Sequence, residues 1–402
     1  MGIKIESARI APCKIVFFRE RPYIKPNQVL FIDNRPGREH SYHDKLVDVF
    51  GLLRNSKLDI SDENIPILRE IIERGLRNGG FKDTTRAAEW LGSVNQYANF
   101  LGFNIEPFEL LIAHAEDHIH EIIKIMVIDG NWPAGMILSG SPKMLSEVLT
   151  DTIIQQTLRL ICSILDKKIP ILGFCFGLHL LAYSKFGALA EYIHVPEGMG
   201  VEFHPKLEAK NKFTNSISGD IYTVYGTSFV RRVVKHKVLA AVDKIFGLEV
   251  HSQFLSSDHP SISNKKILAV SKRFFRENKM SKKQYEQVMI EVLEVGEVAI
   301  GTQLHPELQP ELLLALSYLP EISSWLKNEG QDLQRLRKEL GMYPKSFYAG
   351  QRIGYNWVKR ILAPDYIRKM ISDEKSQRTL LDRLKYRDLT RNRFSVVSEN
   401  FF

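Results

Sequence analysis

The residues best equipped for chemistry lie in Pro170-Ile171-Leu172-Gly173-Phe174-Cys175-Phe176-Gly177-Leu178-His179-Leu180-Leu181-Ala182. Its apolar start suits a short strand. Gly173 and Gly177 leave room for a sharp turn, and the residues beyond suit a helix that Gly187 can stop. Cys175 then stands at a helix N-terminus, where partial positive charge suits an anionic nucleophile. Such a thiol needs a base to take its proton, and the base needs a group that orients it. His305 and Glu307, two residues apart after the strand-like Val298-Ala299-Ile300-Gly301, fit those two roles. A third piece is Ala134-Gly135-Met136-Ile137-Leu138-Ser139-Gly140-Ser141-Pro142, a strand running into a tight loop of small residues. The backbone N–H groups of such a loop can receive an oxyanion.

These pieces act together only if their strands are parallel members of one sheet, whose carboxyl ends share an edge. The chain supports that arrangement. Val29-Leu30-Phe31-Ile32-Asp33-Asn34 is an apolar run ending in polar residues, as a buried parallel strand would be. The pattern predicts a further strand over 103–108, a helix over 109–124, the strand near 134–138, a helix over 146–165 and the strand before Cys175. Strand alternating with helix means an open, mostly parallel sheet with helices on both faces, an α/β fold. Beyond 187 short β-like runs appear at 221–225, 246–250 and 266–270. A charged segment at 276–291 reads as helical, and a helix at 311–319 closes the sheet.

With these residues assembled, the chain resembles the class I (triad) glutamine amidotransferases. Gly173-Phe174-Cys175-Phe176-Gly177-Leu178-His179 is similar to their G-[IV]-C-[FYL]-G-x-Q motif, and Gln303-Leu304-His305-Pro306-Glu307 to their Q-F-H-P-E motif. Ile137-Leu138-Ser139-Gly140-Ser141-Pro142 resembles their I-L-S-G-G-P loop, and Phe31-Ile32-Asp33-Asn34 their first strand. The resemblance implies a flavodoxin-like fold and cleavage of the side-chain amide of glutamine, or of a related γ-glutamyl compound, through a γ-glutamyl thioester. It makes Cys175 the nucleophile, His305 the base and Glu307 its orienter. Gly140, Ser141 and the Phe176 N–H become the oxyanion site, and His179, His251 and Ser252 the substrate contacts. No cofactor and no metal are implied. Two departures stand out: Ser141 replaces the second glycine of the loop, and His179 replaces a glutamine that helps to seat substrate. Gamma-glutamyl hydrolases also lack that glutamine, so the substrate stays open between the two.

The flanking regions set the organisation. Residues 1–27, with Pro12, Pro22 and Pro26, read as an irregular lead-in. Residues 28–325 read as the catalytic domain, with a helical insertion at about 40–101. In that insertion Ser61-Asp62-Glu63-Asn64 caps a helix that Gly79-Gly80 ends, and a second helix spans 85–101. Residues 326–402 read as a helical, basic extension. Of the net charge of +8, all falls after residue 330, where 16 Lys and Arg face 8 Asp and Glu. Aromatics interleave with these charges, a combination that can hold nucleic acid, but the charges are scattered rather than striped, so packing onto the catalytic domain is preferred. His114, His118 and His120 lie among acidic residues in 109–124; without metal-motif spacing a solvated polar face is preferred.

Three cysteines cannot build a disulfide framework, and no run is long enough to span a bilayer. With no signal peptide evident, the expected location is the cytoplasm, with secretion by a signal-independent route left open. The expected partner is a small γ-glutamyl substrate. No G-x-x-x-x-G-K-[ST] or S-G-G-x-D-S loop occurs, so a synthetase accepting ammonia would be a separate chain. The alternative, from another functional class, is a catalytically weak or inactive amidotransferase-fold module acting as a binding or regulatory protein through its insertion and basic tail.

Overall fold

A computed structural model describes residues 3–4, 15–35, 59–60, 62–78, 108–141, 143, 145–192, 200–202, 224–232, 236–239, 244–251, 253–276, 284–305 and positions scattered between 314 and 362. The strands, in chain order, are β1 (Ile3–Lys4), β2 (Ile15–Phe17), β3 (Gln28–Asp33), β4 (Asp59–Ile60), β5 (Glu109–His114), β6 (Gly135–Leu138), β7 (Ile171–Phe174) and β8 (Glu191–Tyr192). They continue as β9 (Gly200–Glu202), β10 (Val224–Arg232), β11 (Lys244–His251), β12 (Gln253–Phe254), β13 (Ile267–Arg276), β14 (Gln284–Glu294) and β15 (Ala299–Thr302). The α-helices are α1 (Ile65–Asn78), α2 (Ala115–Ile123), α3 (Thr152–Asp166) and α4 (Phe176–Phe186).

One large sheet carries the site. Its hydrogen-bond order is β11-β10-β13-β14-β15-β7-β6-β3-β5-β2, with β9 pairing off β13. The six strands from β15 to β2 run parallel; those from β14 to β11 are antiparallel additions. After β3 the chain forms β5 on one side and then returns to form β6 on the other. The crevice at such a reversal, beyond the strand carboxyl ends, is where open α/β sheets hold their ligands.

Alternation along the buried strands sorts the core into two layers. Leu30, Ile32, Leu111, Ala113, Met136, Leu138 and Ile171 face α2, α3 and α4. Val29, Phe31, Leu110, Ile112, Ile137, Leu172 and Phe174 face the other way. Because both faces are covered, these strands read as unbroken apolar runs rather than as alternating ones. The second face is closed partly from far along the chain: Ile353, Trp357, Val358 and Ile361 pack on it with Val238 and Leu239. Trp357 is fully buried and donates its indole N–H to the Ile171 carbonyl at 3.1 Å. Helix α4 is apolar around its circumference, and residues 176–182 are all buried, so it sits inside the domain rather than on its surface.

Two expectations fail here. Residues 109–114 are strand, not the start of a helix, and α2 begins only at Ala115. Leu110-Leu111-Ile112-Ala113 pairs between β2 and β3 and is buried on both faces, an environment that overrides its fair helical propensity. Residues 284–294 are likewise strand, the second arm of a long hairpin with β13. Backbone pairing with β13, in register from Ile267↔Leu293 to Arg276↔Gln284, outweighs the charged residues that suggested a helix. The lead-in also contributes β2, at the sheet edge. The expected strand at 103–107 and helix at 85–101 lie outside the described residues.

Trp357→Ala should remove about 3–5 kcal/mol of stability, because loss of a fully buried indole leaves a cavity and strips the Ile171 carbonyl of its donor. Urea denaturation followed by circular dichroism measures it; a loss below about 1 kcal/mol would show the contact to be peripheral.

Candidate active site at the strand carboxyl ends

Cys175 sits between β7 and α4 with φ 48° and ψ −107°, one of two non-glycine residues with positive φ among the described residues. Such a conformation costs about 1–3 kcal/mol and persists only where its surroundings enforce it. Here they do. A Cβ on Gly173 would lie 2.6 Å from the Gly177 carbonyl carbon and oxygen, and one on Gly177 would lie 2.7 Å from the Leu138 oxygen. Only glycines let strand, helix and neighbouring strand approach so closely. The Cys175 N–H donates to Thr302 O at 2.7 Å, which ties the turn to the end of β15. Cys175 is buried, with about 5% of its surface exposed. The N–H of Phe176 opens α4, and a group in that position has no acceptor within its own helix.

The loop after β6 lies on one side of this turn. Ser139 N donates to Ile32 O at 3.0 Å, and the Ser139 hydroxyl accepts from the Asn34 N–H at 2.9 Å. The Ser141 hydroxyl donates to Asn34 O at 2.8 Å and accepts from the Lys143 N–H at 3.1 Å. Neither Gly140 nor Ser141 is among the described residues with positive φ, so serine in place of glycine needs no left-handed backbone. Its hydroxyl fastens the loop to the end of β3. There Asp33, fully buried, holds Arg35 through two contacts of 2.8 Å, and the Arg35 carbonyl meets His114 Nε2 at 2.8 Å.

On the other side, β15 runs parallel to β7 with Thr302 opposite Phe174. Gln303, Leu304 and half-buried His305 follow it on the same edge as Cys175. Glu307 lies outside the described residues. His179 is one turn into α4 and 3% exposed; its Nε2 is 2.8 Å from Gln303 Oε1. The Gln303 amide nitrogen donates to Cys175 Sγ at 3.4 Å. Gln303 is a functional candidate that the sequence reading passed over, although it stands within the Gln303–Glu307 motif. His251 ends β11, five places from β7 in the strand order, and Ser252 lies outside the described residues. His118 packs its ring on Phe18 at 5.2 Å and His120 is exposed. Among the described residues no three His, Cys, Asp or Glu side chains gather as a metal site.

The family model for Glutamine amidotransferase class-I matches residues 106–313, slightly over half of the chain. The chain belongs to the class-I glutamine amidotransferase family. No curated protein matches its sequence. Among solved structures it is similar to a glutamine amidotransferase from Thermotoga maritima, at 13% identity and a TM-score of 0.41, covering 84% of this chain and 99% of that one. A glutamine amidotransferase from Methylobacillus flagellatus gives 12% identity and 0.40, covering 83% and 94%. A putative GMP synthase subunit from Thermoplasma acidophilum gives 13% and 0.36, covering 85% and 98%. This amidotransferase domain has the open, mostly parallel sheet expected of it, and no helix among the described residues is long and apolar enough to cross a membrane.

Past the 139–141 loop, Lys143 Nζ contacts Asp151 at 2.8 Å and Glu116 at 3.2 Å. Burial pulls the Lys143 ammonium down, but the hydrogen bonds and charges of the two carboxylates more than offset this and leave it raised. Burial pushes the Asp151 carboxyl up, while Lys143 and the N–H groups of Ile154 and Ile153 outweigh that and hold it below its usual value. Asp151 is also the N-cap of α3. A carboxyl depressed by folding contributes stability above its unfolded value, about 3.9, and loses it as pH falls. Asp151→Ala should therefore cost about 1 kcal/mol at pH 7, and the difference from wild type should shrink below about pH 4. Urea melts across pH check this, and a pH-independent difference would overturn it. Gly177→Ala should cost about 1–3 kcal/mol by forcing Leu138 away, and should slow Cys175 alkylation.

Proposed function

We propose that this amidotransferase domain hydrolyses the side-chain amide of glutamine, or of a related γ-glutamyl compound, through a thioester on Cys175. The observation that carries the reading is the backbone of Cys175: a strained, glycine-framed turn at a helix N-terminus, on the sheet edge that also bears the 139–141 loop and His305. A structural cysteine needs no such conformation.

The sequence of events follows from the roles. Cys175 Sγ attacks the carboxamide carbon while His305 takes the thiol proton, and Glu307 orients the imidazole. The carbonyl oxygen becomes an oxyanion held by the Phe176 N–H and backbone of Gly140–Ser141, donors already oriented by the helix start and by the Asn34 contacts. Collapse of the adduct breaks the C–N bond. The proton held by His305 goes to the nitrogen, and ammonia leaves. Water, deprotonated by His305, then attacks the thioester; glutamate departs and the thiol is restored. Where ammonia is used rather than released, its acceptor is a separate synthetase chain. His251 and Ser252 remain proposed contacts to the substrate's α-groups.

The full chain should release ammonia and glutamate from glutamine or a γ-glutamyl peptide, and Cys175→Ala should lower the rate at least about a thousandfold. A glutamine analogue with an electrophile at its side-chain terminus should add to Cys175 and not to Cys162. If the folded protein turns over none of these substrates and the analogue adds nowhere, the enzymatic reading fails and the binding-module alternative takes its place.

A further inference from the structure

We propose that Gln303 is the group that holds the sulfur of Cys175, and that His179 is a positioning residue acting on the nucleophile through Gln303. This deepens the reading of Cys175 as a nucleophile and rests on it. The three side chains form a continuous buried contact: His179 Nε2 to Gln303 Oε1 at 2.8 Å, then Gln303 Nε2 to Cys175 Sγ at 3.4 Å. Gln303 is completely buried and His179 is 3% exposed.

A buried amide has ends of opposite polarity, and what it offers one neighbour depends on how the other neighbour holds it. An imidazole that donates from Nε2 captures Oε1 and turns the NH2 group toward sulfur. A donor there stabilises the anionic sulfur that attacks, and the same sulfur when it leaves the thioester. The reversed amide would aim an oxygen at that anion. The backbone fixes all three residues. Gln303 N donates to Glu291 O at 2.9 Å, Cys175 N to Thr302 O at 2.7 Å, and His179 N to Cys175 O at 3.3 Å. His179 stands where the family motif has a glutamine that helps to seat substrate, so two roles compete for it. Seating substrate would govern KM. Positioning Gln303 would govern kcat and the reactivity of the bare thiol.

The test uses the full chain and iodoacetamide, an uncharged electrophile that needs no substrate site. Sγ–C bond formation expels iodide, and labelling at Cys175 is read by mass spectrometry against exposed Cys162 as internal reference. His179→Leu and Gln303→Leu should each slow Cys175 labelling about tenfold, leaving Cys162 unchanged. The double variant should be no slower than either single one, because the two side chains act as one unit. His179→Gln, which keeps an N–H donor, should restore most of the rate. Gln303→Glu preserves side-chain size and is the variant to use where leucine unfolds the protein; a carboxylate against sulfur should slow labelling at least as much. With glutamine, kcat should fall while KM holds. Wild-type labelling in Gln303→Glu, independent losses that multiply in the double variant, or a raised KM with unchanged labelling in His179→Leu would each overturn the proposal. The expected labelling pattern across the series without any turnover would instead sink the proposed reaction and leave the contact standing.

Discussion

The sheet edge that carries Cys175 depends on one backbone conformation, the positive φ of that residue between a strand and a helix that are both buried. No L-residue takes it without cost, about 1–3 kcal/mol, so the surrounding structure must hold it. The opposing forces are specific. β7 is pinned between β6 and β15, and α4 buries every residue from 176 to 182. Gly173, Gly177 and Gly301 remove the side chains that would push α4 off the sheet; a Cβ on Gly301 would meet Leu178 Cα at 3.0 Å. Packing that close makes α4 a wedge, and the turn at its start can relax only if the helix withdraws.

The edge around that turn is built with the same economy of contacts. Each parallel strand near the reversal of strand order delivers a polar or thiol side chain just past its last apolar stretch: Asp33 and Asn34 after Ile32, Ser139 after Leu138, Cys175 after Phe174, Thr302 and Gln303 after Ile300-Gly301. Cross-links join neighbours: Asn34 to Ser139 and Ser141, Cys175 to Thr302, Gln303 to Cys175. These groups are mostly buried, so each unmade hydrogen bond would cost its full desolvation, about 1–3 kcal/mol. The network is accordingly rigid. An oxyanion site gains from that rigidity, since its donors need no reorganisation when charge develops.

Much of this was legible in sequence because its signals are local. An apolar run followed by glycine, cysteine and glycine announces strand, turn and helix without reference to anything distant. The parallel sheet followed from repeating that pattern. What misled was equally physical. Leu110-Leu111-Ile112-Ala113 has no periodicity that distinguishes a doubly buried strand from a helix, and only its neighbours β2 and β3 decide. Residues 284–294 carry charges at spacings either structure accepts, and β13 decides. Trp357 lies 186 residues from the carbonyl it bonds, and Gln303 lies 124 residues from His179. Contacts of that separation leave no trace in a local pattern.

His179 illustrates why a motif position and a side-chain role are different things. Four residues into the turn-and-helix motif, position 179 lies one helical turn above Cys175 and beside the end of β15 whatever residue occupies it. A long flexible amide there can reach past the sheet edge toward a ligand. An imidazole is shorter and rigid, and in this chain it meets the Gln303 amide instead. The exchange of glutamine for histidine therefore need not empty the site of function. It moves a polar contact inward, from where a substrate would lie to the residue that touches the sulfur. Selectivity would then rest on other residues of the edge, while the thiol keeps a buried donor whose orientation is set by a single imidazole nitrogen.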